Sequence, residues 1–238
     1  MNKAILVVAA HPDDEVLGCG GTVARRAAHG DSVHLAVLGE GITSRSSRAA
    51  EADRMAVREL RDDARGVAGM LGAKSLVFGN MPDNRFDQVV LLEIVKIVER
   101  WIRDVDPEVV YTHHPGDLNI DHRVAFQAVL TATRPVPGCR VKELYSFEIA
   151  SSTEWAFQQF APVFKPNVFE EITSTLDLKL QCLERYRGEV RSFPHPRSID
   201  TVRAVAHRWG SAVGIPCAEA FELVRSVRGE AARDASGI

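Results

Sequence analysis

The run Ala10-His11-Pro12-Asp13-Asp14-Glu15 places a histidine and three carboxylic acids within five positions, directly after the apolar stretch Ile5-Leu6-Val7-Val8-Ala9. A short aliphatic run bounded by a turn signal is expected to form a fully buried strand. Loops at the strand ends of open α/β sheets are where ligands bind. His11 and Asp14, three apart, can reach one point from a single tight turn, which leaves Asp13 free to move a proton beside a metal. Carboxylates also suit the start of a helix, where they interact well with its dipole. That role accounts for one or two of the acids but not for the histidine. A second polar run, His113-His114-Pro115-Gly116-Asp117-Leu118-Asn119-Ile120-Asp121-His122-Arg123, ends at the expected start of another helix, so that His122 can point back toward the first run. His11, Asp14 and His122 together make a two-histidine, one-carboxylate set. This is donor chemistry for a catalytic zinc, or another divalent metal, with a fourth position kept for water. Such a metal lowers the pKa of that water and polarises a carbonyl oxygen. Asp13 is then the natural general base, able to return the proton to a leaving amine. The chemistry permitted is metal-assisted hydrolysis of an amide or ester.

These residues can meet only if the elements between them bring the two runs together. Residues 33–38, 76–78 and 109–112 read as three further strands. Between them, Ala56, Leu60, Ala64, Val67 and Leu71 recur at helical spacing, as do Leu91, Val95, Val98 and Ile102. Gly30 and Gly72 fall where helix C-caps are expected, and Pro107 stops the third helix. Alternation of this kind predicts a parallel sheet with right-handed crossovers. In the doubly wound order 3-2-1-4, the first and fourth strands are neighbours at the switch point, and each carries one of the polar runs. The expected fold is therefore a single α/β domain, a Rossmann-like and mainly parallel sheet with helices on both faces and its core in residues 1–150. Residues 151–228 are an irregular portion completing the pocket, and 229–238 a polar tail. Within the later part, Leu144, Tyr145, Phe147 and Ile149 suggest a strand. Leu176, Leu180 and Leu183 mark one helix, and Val202, Ala206, Trp209 and Val213 another. Residues 218–227 fit either a strand or a helix.

A length of 238 residues with 45% hydrophobic content is ample for a full core. A net charge of −3 without dense Lys/Arg runs gives no support to nucleic acid as a partner. Cys19, Cys139, Cys182 and Cys217 are far apart, which argues against a structural zinc knuckle and against a disulfide scaffold. The N-terminal apolar run ends in charges rather than a cleavage site, and nothing approaches the ~20 apolar residues of a membrane span. The expectation is a cytoplasmic protein acting on a small molecule, with homo-oligomerisation left open.

The string Ala10-His11-Pro12-Asp13-Asp14-Glu15, followed by Gly18-Cys19-Gly20-Gly21 and later by Asp121-His122, resembles the LmbE/PIG-L family of zinc-dependent N-deacetylases. The resemblance extends through Val37-Leu38-Gly39-Glu40-Gly41 and Pro82-Asp83, and reaches Ala218-Glu219-Ala220-Phe221, with only scattered matches in the last third. It implies zinc on His11, Asp14 and His122, Asp13 as base, and removal of acetyl from an acetamido sugar or its conjugate. Two alternatives remain: an amidase cutting a larger amide, and a metal- or nucleotide-binding regulatory module without catalysis.

One position departs from the family pattern. Where many relatives carry a histidine three residues before the last ligand, this chain has Asn119. An amide can donate a hydrogen bond to an oxyanion, but it cannot supply a proton. His113, His114 or His195 could fill that gap. Pro194 and Pro196 hold His195 extended, which suits either a site residue or a rigid surface turn. Asp121 is expected to orient His122 or to cap its helix. The resemblance makes Asp83 a contact for sugar hydroxyls, with Arg85 in the same loop, while Pro82-Asp83-Asn84 also suits a plain turn. Arg45 and Arg48 could hold a phosphate or carboxylate, or belong to a solvated loop. Gly18, Gly20 and Gly21 are expected to permit close helix packing, and His29, His34 and His207 are read as structural.

Overall fold

The computed structural model describes residues 2–42 and 50–229. Seven strands form one sheet: β1 (Ala4–Ala9), β2 (Ser32–Gly39), β3 (Ser75–Met81), β4 (Val109–His113), β5 (Glu143–Phe147), β6 (Val168–Glu171) and β7 (Ala218–Ser226), in the order β3-β2-β1-β4-β5-β7-β6. The helices are α1 (Asp14–Ala28), α2 (Ala50–Met70), α3 (Leu91–Val105), α4 (Ile120–Ala132), α5 (Leu176–Arg185) and α6 (Ile199–Val213). Strands β1 to β5 pair parallel, with β1 between β2 and β4, as the 3-2-1-4 order requires. The last two strands turn antiparallel: β7 pairs with β5 and β6 pairs with β7. Of residues 218–227, ambiguous by periodicity, 218–226 are thus strand, and β6 is a strand that four residues with little alternation did not reveal.

Side chains along β1 alternate between two cores. Ile5 and Val7 pack with α1, α2, α5 and α6 through residues such as Val16, Val67, Leu180 and Val202. Leu6 and Val8 pack on the opposite face with α3 and α4 through Ile94, Val98, Ala125 and Val129. Helices therefore cover both faces. Among the described residues, no helix is long and apolar enough to cross a membrane.

Helix α1 is broken at Cys19, whose backbone leaves helical geometry (φ −151, ψ 20). A break orphans carbonyls before it and N–H groups after it. Both are satisfied from the second half of the chain. The buried Lys179 Nζ donates to Leu17 O at 2.9 Å, and Glu219 accepts from Gly21 N (2.9 Å) and Thr22 N (2.7 Å). Lys179 and Glu219 pair with each other at 2.6 Å. The glycines serve packing, as expected: a Cβ on Gly18 would overlap the Phe147 ring, and one on Gly21 would overlap Ile172.

Candidate active site

Because β1 and β4 are neighbours, the turn after β1 faces the start of α4. His11, Asp14 and His122, all buried, offer donor atoms within 4.8 Å of one another. Asp14 Oδ2 lies 3.4 Å from both His11 Nδ1 and His122 Nε2. Each imidazole is held on its far side by a carboxylate. Asp121 Oδ2 accepts from His11 Nε2 at 2.9 Å and from Asn84 N at 2.7 Å, and its other oxygen accepts from Phe86 N. Asp117 Oδ1 lies 3.2 Å from His122 Nδ1, and Asp117 also accepts from Asn119 N, Ser152 Oγ and Thr153 Oγ1. A carboxylate behind each ring fixes the tautomer that leaves the other nitrogen's lone pair facing inward. This corrects the expected role of Asp121. It orients His11 rather than His122, and Asp117 takes the place beside His122. The helix cap is Asn119, whose Oδ1 accepts from Asp121 N at 2.8 Å.

The unpaired atoms of this group fit a metal ion. Asp14 Oδ1 and His122 Nε2 are buried with no hydrogen-bond partner, a costly arrangement unless a cation sits between them. The protonation equilibria point the same way. Burial alone would lower His11, but hydrogen bonds to Asp121 and Asp14 raise it to about 10. His122 rises against the same burial to about 9, through Asp14 and Asp117. Burial favours a neutral Asp14, yet the neighbouring His122 and His113 hold it well below the usual carboxylate range. So many carboxylates around two imidazoles demand positive charge, which protons supply when no metal does. Two histidines and one carboxylate with open geometry suit zinc. A second group of possible donors, His11, Asp83 and Asp121, lies behind the first, where the Asp121 oxygens are already committed to N–H donors.

Asp13 stands apart from the donor set. It adopts φ +106, a strained conformation for a non-glycine residue, and its N–H donates to Glu15 Oε2 at 3.0 Å. The buried Tyr186 hydroxyl donates to the other Glu15 oxygen and braces the turn. Asp13 Oδ2 accepts from Arg197 Nη1 at 2.6 Å, and the same nitrogen donates to Glu189 Oε2 at 3.0 Å. Burial pushes the Asp13 carboxyl well above its ordinary range while Arg197 pulls against that shift. Gly41 closes the other side. It sits at φ +79, and a Cβ there would strike the Pro12 ring.

Asp13, His11, Asp83, Asn119, Glu189 and Arg197 line a cleft of about 60 Å³. With its Oδ1 engaged in the helix cap, Asn119 has only its Nδ2 amide to offer the cleft. Asp83 is buried, with Oδ1 3.3 Å from His11 Nε2. Arg85 is exposed and does not line the cleft. Arg45 and Arg48 lie outside the described residues.

None of the three histidines offered as a proton donor is among the residues lining the cleft. His113 Nε2 accepts from Ala10 N at 2.8 Å, and burial together with His122 lowers its pKa to about 3. His114 is held between Pro162 O (2.8 Å) and Glu222 Oε2 (2.9 Å). His195 packs edge-on against Trp155, and its Nδ1 accepts from Arg197 N at 3.1 Å. From the Pro-flanked segment it is Arg197, two residues on, that reaches Asp13. The sequence signal for Arg197 was its place in that rigid insert. Glu189 and Asp117 carried no separate signal.

Comparison with known proteins agrees with this geometry. The family model described as PIG-L: GlcNAc-PI de-N-acetylase matches residues 6–133, a span that contains both polar runs. The chain is 29% identical over 192 residues to the uncharacterised deacetylase YaiS of Escherichia coli (strain K12), covering 78% of this chain and 91% of that one. It is 25% identical over 237 residues to the diacetylchitobiose deacetylase of Thermococcus kodakarensis, covering 94% and 84% respectively. In fold it is similar to the crystal structure of GalB, the 4-carboxy-2-hydroxymuconate hydratase of Pseudomonas putida KT2440, with a TM-score of 0.75, 24% identity and coverage of 98% and 100%. The match spans more than half the chain and includes every donor of the buried cluster: the protein belongs to the PIG-L family.

Proposed function

We propose that this protein is a metal-dependent N-deacetylase that hydrolyses the acetamido group of a sugar or sugar conjugate, with zinc on His11, Asp14 and His122. The observation that carries the reading is the pairing of an unsatisfied buried donor set with a separate carboxylate, Asp13, held beside it but not in it. The metal, when bound, supplies Lewis acidity for the amide carbonyl and acidifies water. Asp13 accepts the proton of the attacking water, and burial suits its carboxyl to keep that proton and pass it to the leaving nitrogen. Arg197 and Glu189 hold the Asp13 carboxylate in one orientation, and the Asn119 amide is the neutral donor for the developing oxyanion. The products balance as one acetate and one primary amine per water consumed.

The cleft, at about 60 Å³, is small and suits a group of acetyl size, so the sugar ring sits at its mouth. There Asp83 and Asn84 are in place to meet hydroxyls. The hydratase similarity suggests a rival, addition of water to a carboxylated substrate. The cleft speaks against it, because Asp13, Asp83 and Glu189 line it and its arginine is already bound to two of them. Incubating the metal-loaded protein with acetamido sugars, free and conjugated, should release acetate and amine in equal amounts, and a chelator should stop both. Absence of acetate from every acetamido sugar, together with hydration of an unsaturated carboxylate, would establish the rival.

A further inference from the structure

Behind the segment that carries Arg197 lies a cavity of about 280 Å³, bounded by α1, α5, α6 and β7. It is separate from the acidic cleft and of opposite character. Its walls are chiefly apolar, including Leu17, Ala150, Val202, Val205, Ala206 and Ala220. A concave apolar space with a few placed polar groups is the usual form of a small-molecule site.

Most of the polar groups around it are engaged with one another. Lys179 and Glu219 neutralise each other and the break in α1. Glu154 accepts from Ser151 N and Ser152 N. Arg208 lies over the Trp209 ring, 4.3 Å from its centroid. Glu148 differs. One oxygen accepts from Trp209 Nε1 at 2.6 Å, while the other has no hydrogen-bond partner, and no cation pairs with the carboxylate, among the described residues. Burial, and then the neighbouring Glu154, raise its pKa against the pull of the Trp209 hydrogen bond and of Arg208 and Lys179, neither of which forms an ion pair with it. Glu148 and Trp209 also line an adjoining cavity of about 370 Å³, so the carboxylate stands where the two spaces meet.

We propose that this cavity is a second ligand site, for a small organic amine whose apolar body fills the α1–α6–β7 space and whose ammonium group pairs with Glu148. Charge complementarity selects the amine. The acceptor left over is anionic and partly desolvated, so a cation relieves a cost that a neutral or anionic head group leaves in place. The site is independent of the deacetylase reading, since His11, Asp14 and His122 are not among its lining residues.

Calorimetric titration of the metal-loaded protein with n-octylammonium, 1-octanol and octanoate tests it. The expected result is saturable binding of the ammonium at least about tenfold tighter than the alcohol, with octanoate weaker still. Glu148→Gln, which keeps an acceptor for Trp209, should weaken the ammonium at least about tenfold. Val205→Phe, which fills the space, should do the same for all three probes, provided thermal unfolding shows that the variant is folded. Equal affinity for the alcohol or octanoate, undiminished binding by folded Glu148→Gln, or no saturable binding would each overturn the proposal. Undiminished binding in Glu148→Gln would place the amine elsewhere, the metal included.

Discussion

The turn after β1 and the start of α4 carry the proposed metal donors, whereas the segments after β5 carry none and instead hold other site residues in place. His11, Asp14 and His122 all come from the parallel half, where neighbouring strands and a tight turn suffice to gather them. The later half contributes Ser152 and Thr153 against Asp117, Arg197 and Glu189 against Asp13, Tyr186 against Glu15, and the Lys179–Glu219 pair across the break in α1. The parallel half thus carries the proposed reactive groups with Asp121 and Asp117 behind the two imidazoles, and the antiparallel extension braces Asp13, Glu15, Asp117 and the break in α1. Placement to within a fraction of an ångström is what a site of this kind requires of its supporting residues.

This division can be broken from either side. The largest effect is expected on stability: Lys179→Met leaves Glu219 buried without its cation and should cost ~3–5 kcal/mol, measured by denaturant unfolding. A loss below about 1 kcal/mol would mean that the α1 break needs no bracing. Asn119→Ala should lower acetate turnover roughly 10²- to 10³-fold, the scale of one oxyanion donor, with bound metal unchanged. If turnover stays near the parent value, the amide is only a helix cap. Arg197→Lys keeps the charge but loses the guanidinium's planar fork. It should reduce kcat about tenfold, equivalent to ~1.4 kcal/mol, again with metal retained, and a drop in metal content would place Arg197 in the wrong group. The smallest effect is expected at His195. Its ring packs on Trp155, so His195→Gln should change kcat within about twofold, as for a surface substitution. A large loss with an altered pH profile would return His195 to the chemistry.

What could be read from the sequence follows the same division. The donor set was legible because its residues lie in two short runs at the ends of apolar strands, and strand order alone brings them together. Most of the supporting residues were not, because they act through contacts distant in sequence. Nothing local distinguishes Glu189 or Tyr186 from a surface acid or a core aromatic. Asp121 shows the limit well. Its neighbour in sequence is His122, yet the helix turns it away onto His11, while Asp117 reaches His122 from the preceding loop. The Pro-flanked segment suits either a presenting device or a surface turn for His195, and the side chain that reaches Asp13 from it is Arg197. Strand β6 stayed hidden because it is four residues long and its pairing depends on the antiparallel turn of β7.

The most direct test of the central claim is the metal content of two adjacent variants, measured side by side on folded protein. Asp13 and Asp14 are neighbours of the same type, assigned opposite roles. Asp13→Asn should retain about one divalent metal per chain while losing ~10²- to 10⁴-fold in acetate turnover, the scale of a positioned acid–base group. Asp14→Asn should lose the metal itself. Equal metal in both variants, or loss of metal from Asp13→Asn with retention in Asp14→Asn, would contradict the assignment.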